Sequence, residues 1–377
     1  MAVLLGGISK AISAPKGLTP LQSAMVVPLT EIITHTSWDG SEEFARPSLN
    51  ELAVLLRTRD ICFRTRVVQV AEVLALADQP LCRRQAQGLR TLAYIAGVDE
   101  GMLSVTEQIA SGNLLAAKTD YEHKALTAYW DPIENSMPLH TAMLVQNPWD
   151  SVYDKELAAL WEDLGKCNEG SLGKAVHSFY KARGFQFPGK KGSVSPHLAQ
   201  HDFVHVLFDY GTTVEAELEV FASIAFNHPD PRAFSYLVGV MGVFQSSYFQ
   251  CINGSFESNP GHMYQYGMPI RFVEAIARGM ASRPHDLLNV DWFNVAEYQV
   301  ADIRLAYEIP PKTELAHRLG SYGPFEPGGM SEAQFRRGTI QAVVEGREYN
   351  GFGGSPGDTL VIHPPRLALP YPEKLIA

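Results

Sequence analysis

His201-Asp202-Phe203-Val204-His205, followed after eleven intervening residues by Glu217, puts two imidazoles and two carboxylates within seventeen residues. On a helix advancing about 100° per residue, His201 and His205 lie roughly 40° apart and Asp202 shares their arc, so the three can face one point. Nitrogen and oxygen donors arranged this way suit a divalent ion, zinc above all. The expected ligands are His201, His205 and Glu217, with Asp202 either a fourth ligand or a base beside them. A zinc protease is disfavoured, because Asp202 stands where His-Glu-x-x-His has its glutamate.

These ligands need two helices joined by a tight turn. Ser195 can cap the first, with Pro196 at its first position, and Gly211 can stop it. Thr212 or Thr213 can cap the second. Read as a helix, that second segment stacks Val214, Leu218, Phe221 and Ala225 on one stripe, with Glu217 beside it and Glu215 and Glu219 on the opposite, solvated face. Val214 to Val220 also alternates with period two, as a half-exposed strand would, but the apolar run through Phe226 favours the helix. His197 and Asp209 extend the histidine stripe by a turn at each end, as extra ligands or as groups that orient the ligands. The other histidines, such as His35, His123, His140, His228, His262, His285, His317 and His363, form no second ligand spacing.

The motif resembles the zinc-ligand motif of the coenzyme Q (ubiquinone) biosynthesis protein 4 family in both spacing and residue type. Upstream, Asn168-Glu169-Gly170-Ser171-Leu172-Gly173, running into Ala175, Phe179 and Tyr180, is similar to that family's helix start, with Asn168 where proline is usual. Downstream, Ala277-Arg278-Gly279, Leu287-Leu288, Asp291-Trp292 and Val300 to Pro311 resemble its closing helix. The family's arginine-leucine-glycine-isoleucine ending reads Arg304-Leu305-Ala306-Tyr307-Glu308-Ile309 here. The resemblance covers roughly residues 164–311. Two departures allow a shifted substrate: no arginine- and tyrosine-rich run precedes the His-Asp pair, and Ala216 replaces the glycine usual before the glutamate.

The resemblance implies action on a prenylated hydroxybenzoate, with loss of the ring carboxylate and oxygenation of the vacated carbon. It also implies a prenyl-lipid substrate, with a quinone-biosynthesis complex or a homo-oligomer as the setting. The tail would need an apolar groove. Ser235 to Phe244, apolar on nearly all faces with two glycines, is a buried helix open to close backbone approach, and with Phe221 and Ile224 it makes Val238, Gly239, Gly242 and Phe244 the expected groove lining. Plain core is the competing reading. Lys174, Lys181, Arg183, Lys190 and Lys191 form a local basic cluster that suits a phosphate, an anionic membrane face or a solvated helix end.

Two other functions compete. An HD-type metal-dependent phosphohydrolase would use His201-Asp202 with His177 and Asp291 or Asp302, but leaves His205 and Glu217 without a necessary task. A non-catalytic prenyl-lipid-binding scaffold would hold a structural zinc.

The 377 residues carry a net charge of −10 and are 46% hydrophobic and 19% charged. This suits a soluble globular protein with substantial cores and disfavours a nucleic-acid partner. No apolar run is long enough to span a bilayer, so any membrane contact is peripheral. Cys62, Cys82, Cys167 and Cys251 show no zinc-knuckle or CxxC spacing, and no basic stretch precedes the short apolar run at Met1 to Lys10. A cytoplasmic location, with peripheral attachment to the inner face of a membrane as an option, is expected.

The expected fold is mostly α, a helical bundle in three regions. Residues 1–150 form an N-terminal helical region, with Leu49 to Ala77 and Arg84 to Ile109 apolar-periodic around a break at Gly97. Trp130 to Asp150 is the expected linker. Residues 151–312 hold the metal motif, and residues 313–377 form a Gly/Pro-rich extension with one short strand candidate at Thr359 to His363.

Overall fold

Hydroxyl and carboxylate side chains start many of the helices. Thr19, Ser48, Asp60, Asp154, Ser171, Thr213, Thr313 and Ser331 each accept a hydrogen bond from a backbone N–H two or three residues ahead. These caps satisfy donors that a helix leaves open at its first turn. The computed structural model describes residues 1–40, 43–127, 153–194, 196, 198–249 and 260–352. Among them the chain forms sixteen α-helices and no strand, which establishes the all-α fold. The linker at Trp130 to Asp150 and the strand candidate at Thr359 to His363 lie outside the described residues.

The N-terminal region contributes α1 (Ala2–Ile12), α2 (Pro20–Thr34), α3 (Leu49–Arg57), α4 (Ile61–Ala77), α5 (Arg83–Ala96), α6 (Leu103–Ala110) and α7 (Leu114–Thr127). Gly97 breaks the pattern as expected, by taking a left-handed conformation (φ 62°) that ends α5. The apolar run at the start of the chain is α1, which buries Leu4, Leu5, Ile8 and Ile12.

The motif region contributes α8 (Lys155–Asp163), α9 (Leu172–Arg183), α10 (Gln200–Phe208), α11 (Val214–Asn227), α12 (Phe234–Phe244), α13 (Met268–Ala281) and α14 (Val300–Ala306), followed by α15 (Glu314–Arg318) and α16 (Glu332–Val344). The principal pairing is α11 with α13, and α12 also packs on α11. Gly279 of α13 permits the first contact, since a Cβ there would sit 2.4 Å from the Ser223 carbonyl oxygen. One continuous apolar core runs from Leu4 to Phe325, because α2 packs on α13 and α4 on α12.

The Gly/Pro-rich extension, described up to residue 352, carries α15 and α16. Its α16 packs along α9, and Ser331 with Gln334 supplies a complete capping box. The loop ahead of it supports the turn between α10 and α11: Gly211 N–H donates to the Tyr322 carbonyl at 2.8 Å and Thr212 N–H to that of Gly329 at 2.7 Å.

Candidate metal centre

Helices α10 and α11 form the expected hairpin, with different ends. The first helix begins at Gln200 rather than at Pro196, which lies in a turn, and has no side-chain cap; Ser195 and His197 are outside the described residues. Asp209 stops the helix in a left-handed conformation (φ 59°), two residues before the expected Gly211. Gly211 is needed for another reason, since a Cβ there would lie 2.2 Å from the Gly329 carbonyl oxygen. Thr213 caps α11 through Ala216 N–H.

Nine residues make too short a helix to persist alone, so neighbours hold α10. Arg304 donates to the Leu207 and Val206 carbonyls at 2.8 and 2.9 Å, and Arg278 to the Phe208 carbonyl at 2.8 Å. Two guanidinium groups thus fill the open carbonyls at the negative end of the histidine helix. Asp209 lies against Lys312 at 3.2 Å and Arg304 at 4.0 Å, at this helix end and away from the ligand group.

His201, His205 and Glu217 converge, with ligand atoms that all lie within 4.8 Å of one another. Glu217 Oε2 is 3.5 Å from His201 Nε2 and 3.4 Å from His205 Nε2. Each ring uses its other nitrogen on a backbone carbonyl: His201 Nδ1 on Leu198, and His205 Nδ1 on Tyr210 at 3.3 Å. A carbonyl only accepts, so Nδ1 donates in both rings, and each Nε2 is left facing Glu217. His205 Nε2 is fully buried and has no hydrogen-bond partner. A buried lone pair without a donor, facing a second imidazole and a carboxylate, fits a metal ion.

Electrostatics agree. Burial alone would lower the His201 imidazole, but the Asp202 and Glu217 carboxylates outweigh it and hold the ring up at about 9. Burial would raise Glu217, yet His205 and His201 keep it well below the ordinary carboxylate range. Burial pushes Asp202 up, with His201, His205 and the Tyr180 hydroxyl pulling the other way. The site therefore attracts positive charge, and a bound cation would release the His201 proton.

Asp202 borders this group. Its Oδ1 is 3.7 Å from His201 Nε2, while its Oδ2 accepts the Tyr180 hydroxyl at 2.5 Å. Sequence reasoning passed over the role of α9, which backs the site. Phe179 lies against the His205 ring, and Arg183 stacks on Phe179 at 4.0 Å. Arg183 is completely buried and donates to Thr212 Oγ1 and to the carbonyls of Phe179, Pro324 and Gly329; burial lowers it to about 9. The apolar periodicity of α9 marks its buried face, but nothing local marks what Tyr180 and Arg183 touch.

Glu215 and Glu219 depart from the solvated face expected for them. Glu219 is 1% exposed and pairs with Arg271 at 2.6 Å, and Glu215 pairs with His262 at 2.7 Å. The basic cluster does not form one patch: Arg183 is interior, Lys181 pairs with Glu345 at 2.8 Å, Lys174 with Glu169 at 3.3 Å, and Lys190 with Glu162.

Of the expected groove residues, Phe221 lies against the ligand group, its ring centre 5.2 Å from that of His201. Ile224, Val238 and Phe244 are buried in the core. The two glycines admit aromatic side chains rather than backbone, since a Cβ on Gly239 would meet the Tyr121 hydroxyl at 2.0 Å and one on Gly242 the Phe249 ring at 2.2 Å. A cavity of about 950 Å³ lies between Gly184 and α16, lined by Arg336, Arg337 and Ile340 among others and by none of these six residues. His177 stacks on Phe187 and, like Asp291 and Asp302, is outside the ligand group. Among the described residues no helix is long and apolar enough to cross a membrane. Comparison with models of protein families, with curated proteins and with solved structures finds no match to this chain.

Proposed function

We propose that the protein is a mononuclear divalent-metal enzyme of prenylquinone assembly, acting on the head group of a prenylated hydroxybenzoate: the ring carboxylate leaves as carbon dioxide and a hydroxyl takes its place, with dioxygen as the oxygen source and an external two-electron donor reducing its second atom to water. The observation that carries the metal part is the convergence of His201, His205 and Glu217 around the unpartnered His205 Nε2. The substrate and reaction rest on the resemblance of the motif to the ubiquinone-biosynthesis family.

Two histidines and one carboxylate leave coordination positions open, and this donor set serves zinc and ferrous iron alike. Bound there, a divalent ion would polarise a carboxylate or phenolate oxygen of the substrate. The chain's own residues do the rest. Nδ1 hydrogen bonds lock both imidazoles, Phe221 offers an aromatic face beside His201, and Asp202 Oδ1 stands at the edge as a proton acceptor. Charge disfavours the phosphohydrolase reading. Asp202 and Glu217 together neutralise a divalent ion, and Arg183, which feels both carboxylates, spends its donors inside the protein. A phosphate dianion would find little positive charge.

Elemental analysis of the purified protein tests the premise and names the metal. About one divalent ion per chain is expected, most simply zinc, and a folded His201→Ala/His205→Ala variant should lose it. Full occupancy in that variant would refute the site. Turnover of a prenylated hydroxybenzoate then separates an enzyme from a lipid-binding scaffold with a structural zinc.

A further inference from the structure

Tyr180 is 1% exposed and its ring is walled in. Phe187 stacks on it almost in parallel, with ring centres 5.1 Å apart, Trp161 lies at 5.5 Å and Phe185 meets it edge-on at 5.8 Å. The ring has one packed orientation, and in it the hydroxyl reaches Asp202 Oδ2 at 2.5 Å. Asp202 is itself 5% exposed and follows His201 directly in the chain. An untethered aspartate there could rotate either oxygen toward the ligands or away from them. With Oδ2 held, Oδ1 stays 3.7 Å from His201 Nε2, the atom that faces Glu217.

We propose that Tyr180 is a positioning residue for the metal centre: by tethering Oδ2 it keeps Asp202 Oδ1 at the rim of the His201–His205–Glu217 group, where it favours the cation and faces whatever ligand the cation takes. The proposal rests on the metal reading above. It differs from the simpler role, in which a buried tyrosine merely satisfies its hydroxyl on a nearby carboxylate. In that case the hydrogen bond supports the fold and leaves metal affinity alone.

The two roles separate in a double-mutant cycle read on zinc affinity, by competition with a chromogenic chelator at fixed pH, alongside urea unfolding of the metal-free proteins. Tyr180→Phe keeps the ring and removes the hydroxyl. It should weaken Zn(II) binding by about tenfold to hundredfold, the usual range for a group that orients a metal site. Asp202→Asn should weaken it at least as much, and the double variant no further than Asp202→Asn alone, because Tyr180 acts through Asp202. In the Co(II)-substituted protein, Tyr180→Phe should shift the visible bands. A Tyr180→Phe protein that is less stable yet binds zinc as the unmodified chain does, or losses that multiply in the double variant, would overturn the proposal. Should Tyr180→Phe not fold, Asp202→Asn decides alone, since unchanged zinc affinity would mean that Oδ1 does not border the ion. If the unmodified protein binds no zinc or cobalt, the metal reading itself falls and this inference with it.

Discussion

Glu215, Glu217 and Glu219 sit at alternate positions of one helix and have three different partners. Helical geometry correctly turned Glu217 away from the other two. It misjudged Glu219, because α11 is buried on almost every side and offers no solvated face there. A buried carboxylate must find a cation, and Arg271 is 52 residues away in sequence, beyond any local pattern. Glu217→Gln should therefore cut bound metal at least tenfold, whereas Glu215→Gln and Glu219→Gln leave metal content unchanged, as elemental analysis would show. Glu219→Gln should still lower stability in urea by about 3 kcal/mol, since it strands a buried arginine. Equal metal losses at all three positions would contradict the placement.

Helix α10 shows how much an element borrows from its surroundings. Its start carries no side-chain cap and its end rests on Arg278 and Arg304, which lie 70 and 97 residues from the carbonyls they serve. Arg304 stands in the motif that resembles the family's closing helix, and the structure supplies a physical task for it. Arg304→Met keeps the aliphatic stem but leaves two carbonyls unserved. The expected cost is about 2 kcal/mol, with faster hydrogen exchange in 203–208 and weaker metal retention although no ligand has changed. Unaltered exchange in α10 would show that the helix stands without this brace. Helix α16 teaches the opposite lesson, because the Ser331-x-x-Gln334 capping box was legible and the glycines and prolines around it obscured it.

Across the whole molecule, the N-terminal helices and the motif helices share one core, so perturbing one region reaches the other. Gly239 of α12 receives Tyr121 from α7. Gly239→Phe, which on the groove reading should displace a lipid and spare the metal, is now expected to wedge these helices apart and lower stability by about 3 kcal/mol, measurable as a drop in melting temperature. A second whole-fold prediction concerns pH. Glu72 is completely buried and Glu100 nearly so, with Thr106 donating to Glu72 and the Met102 N–H to Glu100 at 2.6 Å; Gln69 and Lys124 also face the pair. Burial, then mutual repulsion, raises Glu72 well above its ordinary value, and burial raises Glu100. The folded state thus keeps protons that the unfolded chain releases above about pH 4.5, and the pair's contribution to stability declines as pH rises from there. Glu72→Gln should match the unmodified protein near pH 4 and exceed it by about 1 kcal/mol at pH 8. A difference that does not change with pH would rule out the shared proton.

Local physics carried the reading as far as local physics reaches. Helical period placed His201 and His205 on one face and Glu217 on the core side of its helix, the Thr212-Thr213 pair marked the cap that Thr213 supplies, and apolar periodicity marked the helices around Gly97. Each of these depends on residues within a turn or two of one another. Tertiary structure alone decided that Asp202 is held by Tyr180, that Arg278 and Arg304 finish the histidine helix, that Glu219 is a buried ion pair, and that the glycines of α12 are filled by aromatic rings. Those outcomes turn on which segments meet in space. Packing of distant helices sets that, because a buried donor, acceptor or charge takes the partner the fold brings to it, whatever its distance along the chain.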